Sequence, residues 1–359
     1  MNTLKPKLFS CMKNYSRQQL VKDLTAGVIV AIIALPLSIA LALASGVDPE
    51  QGLYTAIVAG FVISFLGGSR VQIAGPTAAF ATIVAGVVAK NGFSGLVLAT
   101  VIAGILLIIM GLFKLGSLIK FIPYTITTGF TTGIAITLVI GQLKDFLGLT
   151  FTHSPIETID KVKEVVKCIG TFNFEALIIG AVSLAVLIIA PKFIKKIPPS
   201  LFAIVISAAL VKIFDMNVNT IGDLYTISSA LPKFALPEFS METVSAILPD
   251  AFTIAVLAAV ESLLSCVVAD GMTGSRHNSN MELVAQGAGN IASALFGGIP
   301  ATGAIARTAA NIKNGGRTPI AGMVHAVVLL AVLVVLMPYA SLIPMPTIAA
   351  ILFIVAYNM

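Results

Sequence analysis

Charged residues are scarce in this chain. Asp, Glu, Lys and Arg together make up 11% of its 359 residues, and Trp is absent. A soluble domain carries roughly 25% charged residues, so a water-exposed globular surface is excluded for most of the chain. The three cysteines, Cys11, Cys168 and Cys266, have no paired spacing, which argues against a disulfide framework and a metal site. Phosphate-binding loops, zinc-protease motifs and nucleophile elbows are also missing, so we expect neither an enzyme nor a cofactor.

Apolar runs take the place of the missing charge, since hydrophobic residues make up 57% of the chain. Twelve of these runs are predicted to be membrane segments. They lie at about 24–45, 52–68, 76–90, 94–113, 119–141, 174–194, 199–213, 248–268, 282–297, 302–312, 318–337 and 342–357. The third and the tenth are too short to cross about 30 Å of hydrocarbon as regular helices. The pattern predicts an all-α polytopic membrane protein, with a cytoplasmic segment at 1–22, a transmembrane domain at 23–359 and no soluble domain.

The basic residues are distributed unevenly between the predicted loops. With the N-terminus inside, fourteen of the 22 Lys and Arg residues fall on the cytoplasmic side, as the positive-inside rule requires. The net charge of +6 therefore reflects topology, and nucleic acid is not an expected partner. Residues 1–22 contain no cleavable signal, so the first apolar run is predicted to be an uncleaved anchor in the cell inner (plasma) membrane.

Two Gly/Pro breaks indicate an internal repeat. Gly75-Pro76-Thr77-Ala78-Ala79 precedes the third run, and Pro300-Ala301-Thr302-Gly303-Ala304 precedes the tenth, about 225 residues later. Seven runs separate equivalent segments, and an odd number inverts the second copy in the membrane. Paired broken segments of this kind indicate a transporter site at the bilayer midplane. By the same repeat, two spans that match the sixth and seventh runs are expected beyond residue 359.

The starts of the two short runs are candidate binding elements. Backbone N–H groups at Thr77-Ala78-Ala79 and Gly303-Ala304-Ile305 would lack intrahelical partners and face the bilayer centre. Two positive helix ends that point at each other make an anion site. Phe80 lines this site or packs in the core, and both alternatives stay open. The alternative for the breaks themselves is that they are packing kinks.

Glu261 and Arg307 are the one acidic residue and the one Lys or Arg residue that lie well inside the apolar runs, away from their ends. Such residues cost on the order of 3 kcal/mol or more at mid-bilayer and are rarely kept without a function. We expect Arg307 to neutralise a bound anion, and the alternative is that it extends to the cytoplasmic interface. Glu261, with Ser265 one turn later and Gly303, is the candidate site for a coupling ion, H⁺ or Na⁺. A structural ion pair between Glu261 and Arg307 is the alternative.

Several segments resemble one transporter family. They are Asp23-Leu24-Thr25-Ala26-Gly27 with Pro36, Gly52-Leu53-Tyr54, Gly67-Gly68-Ser69 leading to Gly75-Pro76-Thr77, Glu261-Ser262-Leu263-Leu264, residues 278–283, residues 297–308 and residues 315–319. On these segments the chain resembles the SulP (sulfate permease) family, bacterial relatives of the mammalian sulfate/chloride/bicarbonate exchangers. The resemblance implies a seven-plus-seven inverted-repeat fold shared with uracil permeases, of which about 12 of 14 spans would be present here.

The same resemblance implies domains, ligands and partners. A core domain would comprise 23–114 and 248–337, and an incomplete gate domain 119–213 and 342–359. The anion would contact Thr77, Ala78 and Ala304 between half-helices 3 and 10. The span-eight carboxylate would couple transport, and the full-length protein would form a homodimer in the lipid bilayer. Family members usually carry a cytoplasmic STAS domain, which this sequence lacks.

One local difference bears on coupling. Sodium-coupled bicarbonate members pair an Asp with a Thr where this chain has Glu261 and Ser265, and carry a Thr in place of Ile305. We therefore expect a secondary active transporter of a small inorganic anion, sulfate first, by proton-coupled symport or exchange with elevator-like access. The alternatives are sodium-coupled bicarbonate transport or dicarboxylate transport and, more distantly, a nucleobase permease on this fold or an anion channel.

Overall fold

The computed structural model describes residues 4–117, 124–153, 155, 157–193, 198–237 and 241–358. These residues form mainly α-helices. The helices are α1 Lys7–Cys11, α2 Arg17–Ala44, α3 Pro49–Leu66, α4 Ala78–Leu112, α5 Tyr124–Leu147, α6 Thr158–Lys167, α7 Phe174–Phe193, α8 Pro199–Ile213, α9 Ile221–Leu224, α10 Met241–Thr273, α11 Ser279–Leu295, α12 Ile305–Lys313, α13 Ile320–Leu336 and α14 Met345–Tyr357. Two short strands, β1 Ala74–Gly75 and β2 Thr302–Gly303, precede α4 and α12.

Each of the twelve predicted membrane segments corresponds to a helix or to half of one. Within the described residues, six helices are long and apolar enough to cross a membrane. They are Arg17–Ala44, Pro49–Leu66, Ala78–Leu112, Phe174–Phe193, Thr243–Thr273 and Ile320–Leu342. The third and fourth runs form α4, which is divided at Gly92 (φ 67°, ψ −177°). The all-α fold with short third and tenth segments is therefore confirmed, whereas the expected spans beyond residue 359 stay a prediction.

Local sequence explains where several of these helices begin. The Ser16 hydroxyl accepts a hydrogen bond from the Gln19 N–H at the start of α2, and the Asn278 side chain accepts one from the Met281 N–H at the start of α11. Asp48 and Gln51 form a capping box ahead of α3. Ser, Asn and Asp are the preferred residues at such positions because their side chains satisfy first-turn amides.

The helices pack in two groups. α2, α3, α4, α10, α11, α12 and α13 pack mainly against one another, and α5, α7, α8 and α14 form the second group. The groups meet where α14, α8 and α5 contact α2 and where α5 contacts α4. A backbone hydrogen bond ties the start of α14 to the loop between α8 and α9, because the Met345 N–H donates to the Asn219 carbonyl at 2.9 Å.

Glycines allow α4 and α11 of the first group to cross closely. A Cβ atom on Gly104 of α4 would lie 2.7 Å from the Gly287 carbonyl, and one on Gly287 of α11 would lie 2.4 Å from the Gly104 carbonyl. Both obstacles are backbone atoms, which cannot move aside as a side chain would. Close approach through small residues is typical of membrane helices, where packing rather than hydrophobicity drives association.

We predict that Gly287→Ala lowers the thermal stability of the purified protein, because α4 and α11 must separate to admit the methyl group. Overpacking of this kind costs about 1–3 kcal/mol. The matched control is Gly86→Ala in the first half of α4, where an added Cβ meets no atom within 4 Å. Thermal unfolding in detergent should separate the two variants; equal midpoints would contradict the packing argument.

Candidate functional site

The two Gly/Pro breaks meet as a short antiparallel sheet. Ala74 pairs with Gly303 and Gly75 with Thr302, and the Ala304 N–H donates to the Ile73 carbonyl at 2.9 Å. Because β1 and β2 run in opposite directions, α4 and α12 leave the pairing in opposite directions. The half-helix starts therefore face each other, as two inverted copies of one element would.

Neither half-helix start is capped by a side chain. Thr77 occupies the capping position of α4, but its hydroxyl donates instead to the Glu261 carboxylate at 2.9 Å. Ala304 occupies the capping position of α12 and has no polar side-chain atom. Uncapped first-turn amides normally find another acceptor, and together with the helix dipole they favour a negative charge. The two starts thus offer first-turn N–H groups to an anion. The Gly303 and Ala304 N–H groups, which the sequence predicted to be part of the site, are not among them, because they donate to the Ser262 hydroxyl and the Ile73 carbonyl.

Arg307 brings a positive charge to the same place. Its side chain is 1% exposed, and its Nη2 donates to the Pro76 carbonyl just ahead of α4, at 2.5 Å. Within the described residues, Nε and Nη1 have no hydrogen-bond partner. The guanidinium lies over Gly75, where a Cβ would stand 2.4 Å from Nη1. With 1% of its surface exposed, the Arg307 side chain does not extend to the cytoplasmic interface.

Glu261 does not pair with Arg307. Among the described residues no nitrogen of Arg307 lies within 4.0 Å of the Glu261 carboxylate, and the three ion pairs found there involve Lys163, Lys167 and His277. The Thr77 hydroxyl is the donor that the structure gives to Glu261. Glu261 and Arg307 therefore do not form the structural ion pair that was the alternative to a coupling role.

The other predicted site residues fall into three environments. Ala78, Ala79 and Ala304 are buried beside the helix starts, and Ile305 is 41% exposed. Phe80 is buried in the apolar cluster that includes Val84, Leu96 and Ile254. The buried Ser265 hydroxyl lies 3.5 Å from the Thr308 hydroxyl on α12, so it faces α12 and makes no hydrogen bond to Glu261.

Gly303 is held by residues that sequence reasoning missed. Its N–H donates to the Ser262 hydroxyl at 3.1 Å, and Ser262 also bonds the Thr302 hydroxyl at 2.6 Å. A Cβ on Gly303 would overlap the Gln72 amide, whose nitrogen lies 1.8 Å from the position that this Cβ would take. A larger residue here would displace the Gln72 side chain from its hydrogen bond to Glu282.

Asn290 of α11 supports the second break. Its amide nitrogen donates to the Ala301 carbonyl, and its amide oxygen accepts from the Ala301 N–H, both at 2.8 Å. These bonds satisfy the backbone immediately before β2, where no helix can do so. Polar residues four apart in an apolar run, Gln286 and Asn290, are the sequence signal that would have indicated this role.

Comparison with known proteins agrees with a membrane transporter. Residues 20–359 match the model of the family described as the sulfate permease family. YvdB of Bacillus subtilis (strain 168), assigned by its name to sulfate transport, is 46% identical over 349 residues, which cover 97% of this chain and 66% of that protein. The bicarbonate transporter BicA of Picosynechococcus sp. is 36% identical over 342 residues, 92% of this chain and 60% of that protein. The chain thus spans about two thirds or less of these relatives.

Solved structures agree on the fold. The transmembrane domain of a cyanobacterial bicarbonate transporter BicA superposes with a TM-score of 0.88 at 33% identity, covering 96% of this chain and 90% of that one. The inward-facing murine anion transporter Slc26a9 superposes with a TM-score of 0.87 at 19% identity, covering 97% of this chain and 62% of that one. At that identity the second match shows a shared fold alone.

Proposed function

The chain belongs to the sulfate permease family, and we propose that it is a secondary active transporter whose first candidate substrate is sulfate. The family and the matched relatives are transporters, not enzymes. One observation carries the proposal: two uncapped helix starts face each other beside the buried guanidinium of Arg307.

The chemistry of the site favours a small oxyanion. Ala78, Gly303 and Ala304 have little or no side chain, so they leave space for a ligand beside the first-turn amides of α4 and α12. Two helix starts and one guanidinium supply more positive charge than a monovalent anion needs, which favours divalent sulfate. Bicarbonate, the substrate in the name of one relative, and a dicarboxylate are the alternatives. A nucleobase permease is less favoured, because the tenth segment presents Arg307 where a neutral base would need a carboxylate.

We infer that Glu261 carries the coupling ion and that this ion is a proton. Among the described residues its carboxylate has one hydrogen-bond donor, Thr77, and Thr77 immediately precedes α4. Protonation of Glu261 would therefore change the hydrogen bond to the residue just before the helix that would hold the anion. A sodium site would want further oxygen ligands, yet the Ser265 hydroxyl faces α12 and Ile305 has no hydroxyl.

The packing supports an elevator-like movement. Both half-helix starts belong to the first helix group, and their strands are hydrogen-bonded to each other. The anion site would therefore travel as one unit when that group, the core at 23–114 and 248–337, slides against the gate helices at 119–213 and 342–359. We propose an inner-membrane protein with a cytoplasmic N-terminus that forms a homodimer when full length.

Flux into proteoliposomes tests the function. We expect purified protein to take up radiolabelled sulfate faster with an inward proton gradient than without one, and to do so without sodium. Bicarbonate, succinate, chloride and uracil should be compared in parallel, with protein-free vesicles as the blank. Transport of none of the four anions would refute the substrate class, and uptake of uracil alone would identify a nucleobase permease.

Glu261→Gln should abolish uptake driven by a pH gradient and preserve sulfate/sulfate exchange, because glutamine keeps the shape of the side chain but cannot release a proton. Glu157→Gln is the matched control, since Glu157 is exposed at the start of α6 and caps nothing there. Undiminished gradient-driven uptake in Glu261→Gln would remove Glu261 from coupling. Unchanged conductance in that variant would indicate a channel.

Arg307→Gln should weaken sulfate binding by roughly tenfold or more, since a hydrogen bond to a charged group contributes about 1.5–3 kcal/mol. The glutamine amide nitrogen takes about the place of Nε, so the bond to the Pro76 carbonyl is lost with the charge; the unfolding midpoint without sulfate reports the structural part of the change. Lys313→Gln, an exposed cation at the end of the same helix, is the control. Sulfate-dependent thermal shifts measure both; equal affinities would show that Arg307 does not face the anion.

A further inference from the structure

One end of the core carries an unusual amount of positive charge. The cations there come from α1, the start of α2, the link after α3 and the turn between α12 and α13. They are Lys5, Lys7, Lys13, Arg17, Lys22, Arg70, Lys313 and Arg317. We call this surface the basic end. Contacts bring its parts together: the Lys7 N–H donates to the Gly67 carbonyl at 2.9 Å, and Gly315 lies next to the Lys22 side chain.

The acids at this end do not neutralise these cations. Asp23 is buried and accepts hydrogen bonds from Tyr15, Gln19, Thr318 and the Arg317 backbone. Asp270 is hydrogen-bonded to His277. Glu282 accepts hydrogen bonds from Gln286, one turn later on α11, and from the Gly68 N–H in the link after α3. In the described part of the chain, no side-chain nitrogen of the Lys and Arg residues of the basic end lies within 4.0 Å of a carboxylate. The positive charge is available to an outside partner.

Apolar side chains accompany the cations. Phe9 of α1 is 49% exposed and meets Phe65, near the end of α3, edge to face with ring centroids 6.4 Å apart. Leu4 and Met12 are exposed beside it. On α2, Leu20, Leu24 and Val28 follow one another at intervals of four residues and are all exposed. Four-residue spacing places them on one face of the helix, as a stripe that leads from the basic end along the membrane span.

We propose that the basic end binds the phosphate headgroups of acidic phospholipids. The cations would meet the headgroups, and the exposed stripe of α2 with Phe9 and Met12 would contact the acyl chains. A short amphipathic helix with basic and apolar residues on a membrane surface has this affinity. A soluble polyanion such as nucleic acid would match the charge but would leave the adjoining apolar stripe without a role.

The basic end is also tied to the second half-helix. The Asp23 carboxylate joins Tyr15 on one side to Thr318, which follows the α12–α13 turn, on the other. Desolvation and the neighbouring Asp23 raise the pKa of Tyr15 to about 12, so its hydroxyl remains a donor at neutral pH. A lipid that holds residues 4–22 would thereby steady the loop at the end of α12. The inference does not depend on which anion the protein carries.

The absence of Trp allows a site-specific test. Met12→Trp places one indole at the basic end of the full-length chain, and its fluorescence is quenched by brominated lipids only at contact. We expect brominated phosphatidylglycerol to quench several-fold more strongly than brominated phosphatidylcholine, with the difference shrinking at high salt. Equal quenching by the two lipids would overturn the proposal.

Charge removal provides the matched comparison. In the Met12→Trp background, Lys5→Gln, Lys13→Gln and Arg17→Gln combined should lower the preference for phosphatidylglycerol by about tenfold or more, since each cation near a surface contributes about 1 kcal/mol. Lys90→Gln, Lys212→Gln and Lys233→Gln combined remove the same charge from exposed positions at the other end and should leave the preference intact. An equal loss in both sets would indicate general electrostatics and refute a binding surface.

Discussion

The rest of the site depends on one constraint, the need to pair backbone polar groups inside a bilayer. A chain that stops being helical at mid-membrane leaves N–H and C=O groups without water. Here two interrupted segments satisfy each other through the β1–β2 pairing of Ala74 with Gly303 and Gly75 with Thr302. The pairing uses the strands and leaves the amides of the following helix starts available. One arrangement therefore stabilises the breaks and creates the place where we propose that an anion binds.

The membrane segments and the two half-helices were predictable because the bilayer restricts what the chain can form. Apolar length, two Gly/Pro breaks at matching positions and an odd number of intervening segments were enough to predict inverted half-helices. The start of α12 lies three residues later than the predicted segment, at Ile305, because Thr302 and Gly303 are used as strand. The pattern of the breaks indicated an interruption, but it contained no signal for a strand of two residues.

Side-chain direction was less predictable, since helical spacing does not say which neighbour a face meets. Ser265 shares a face of α10 with Glu261 in sequence, yet its hydroxyl lies against Thr308. Glu261 and Arg307 look like natural partners by charge, yet Arg307 bonds the Pro76 carbonyl. The supports of the second break lie on two helices: Ser262 on α10, 41 residues before Gly303, and Asn290 on α11, 11 residues before Ala301. Their partners follow from how α10 and α11 pack around β2.

Two carboxylates on consecutive helices have different surroundings. Glu282 of α11 is buried and, among the described residues, accepts four hydrogen bonds, from the amides of Gly68 and Ser69 and from the side chains of Gln72 and Gln286. These bonds fix Glu282 in place and tie α11 to the link after α3. Glu261 of α10 is partly buried and receives one bond from the described residues, from a hydroxyl that can rotate. The proposed proton carrier is thus the less constrained of the two acids, and Glu282 is one of the supports on which the proposed movement of the core as one body depends.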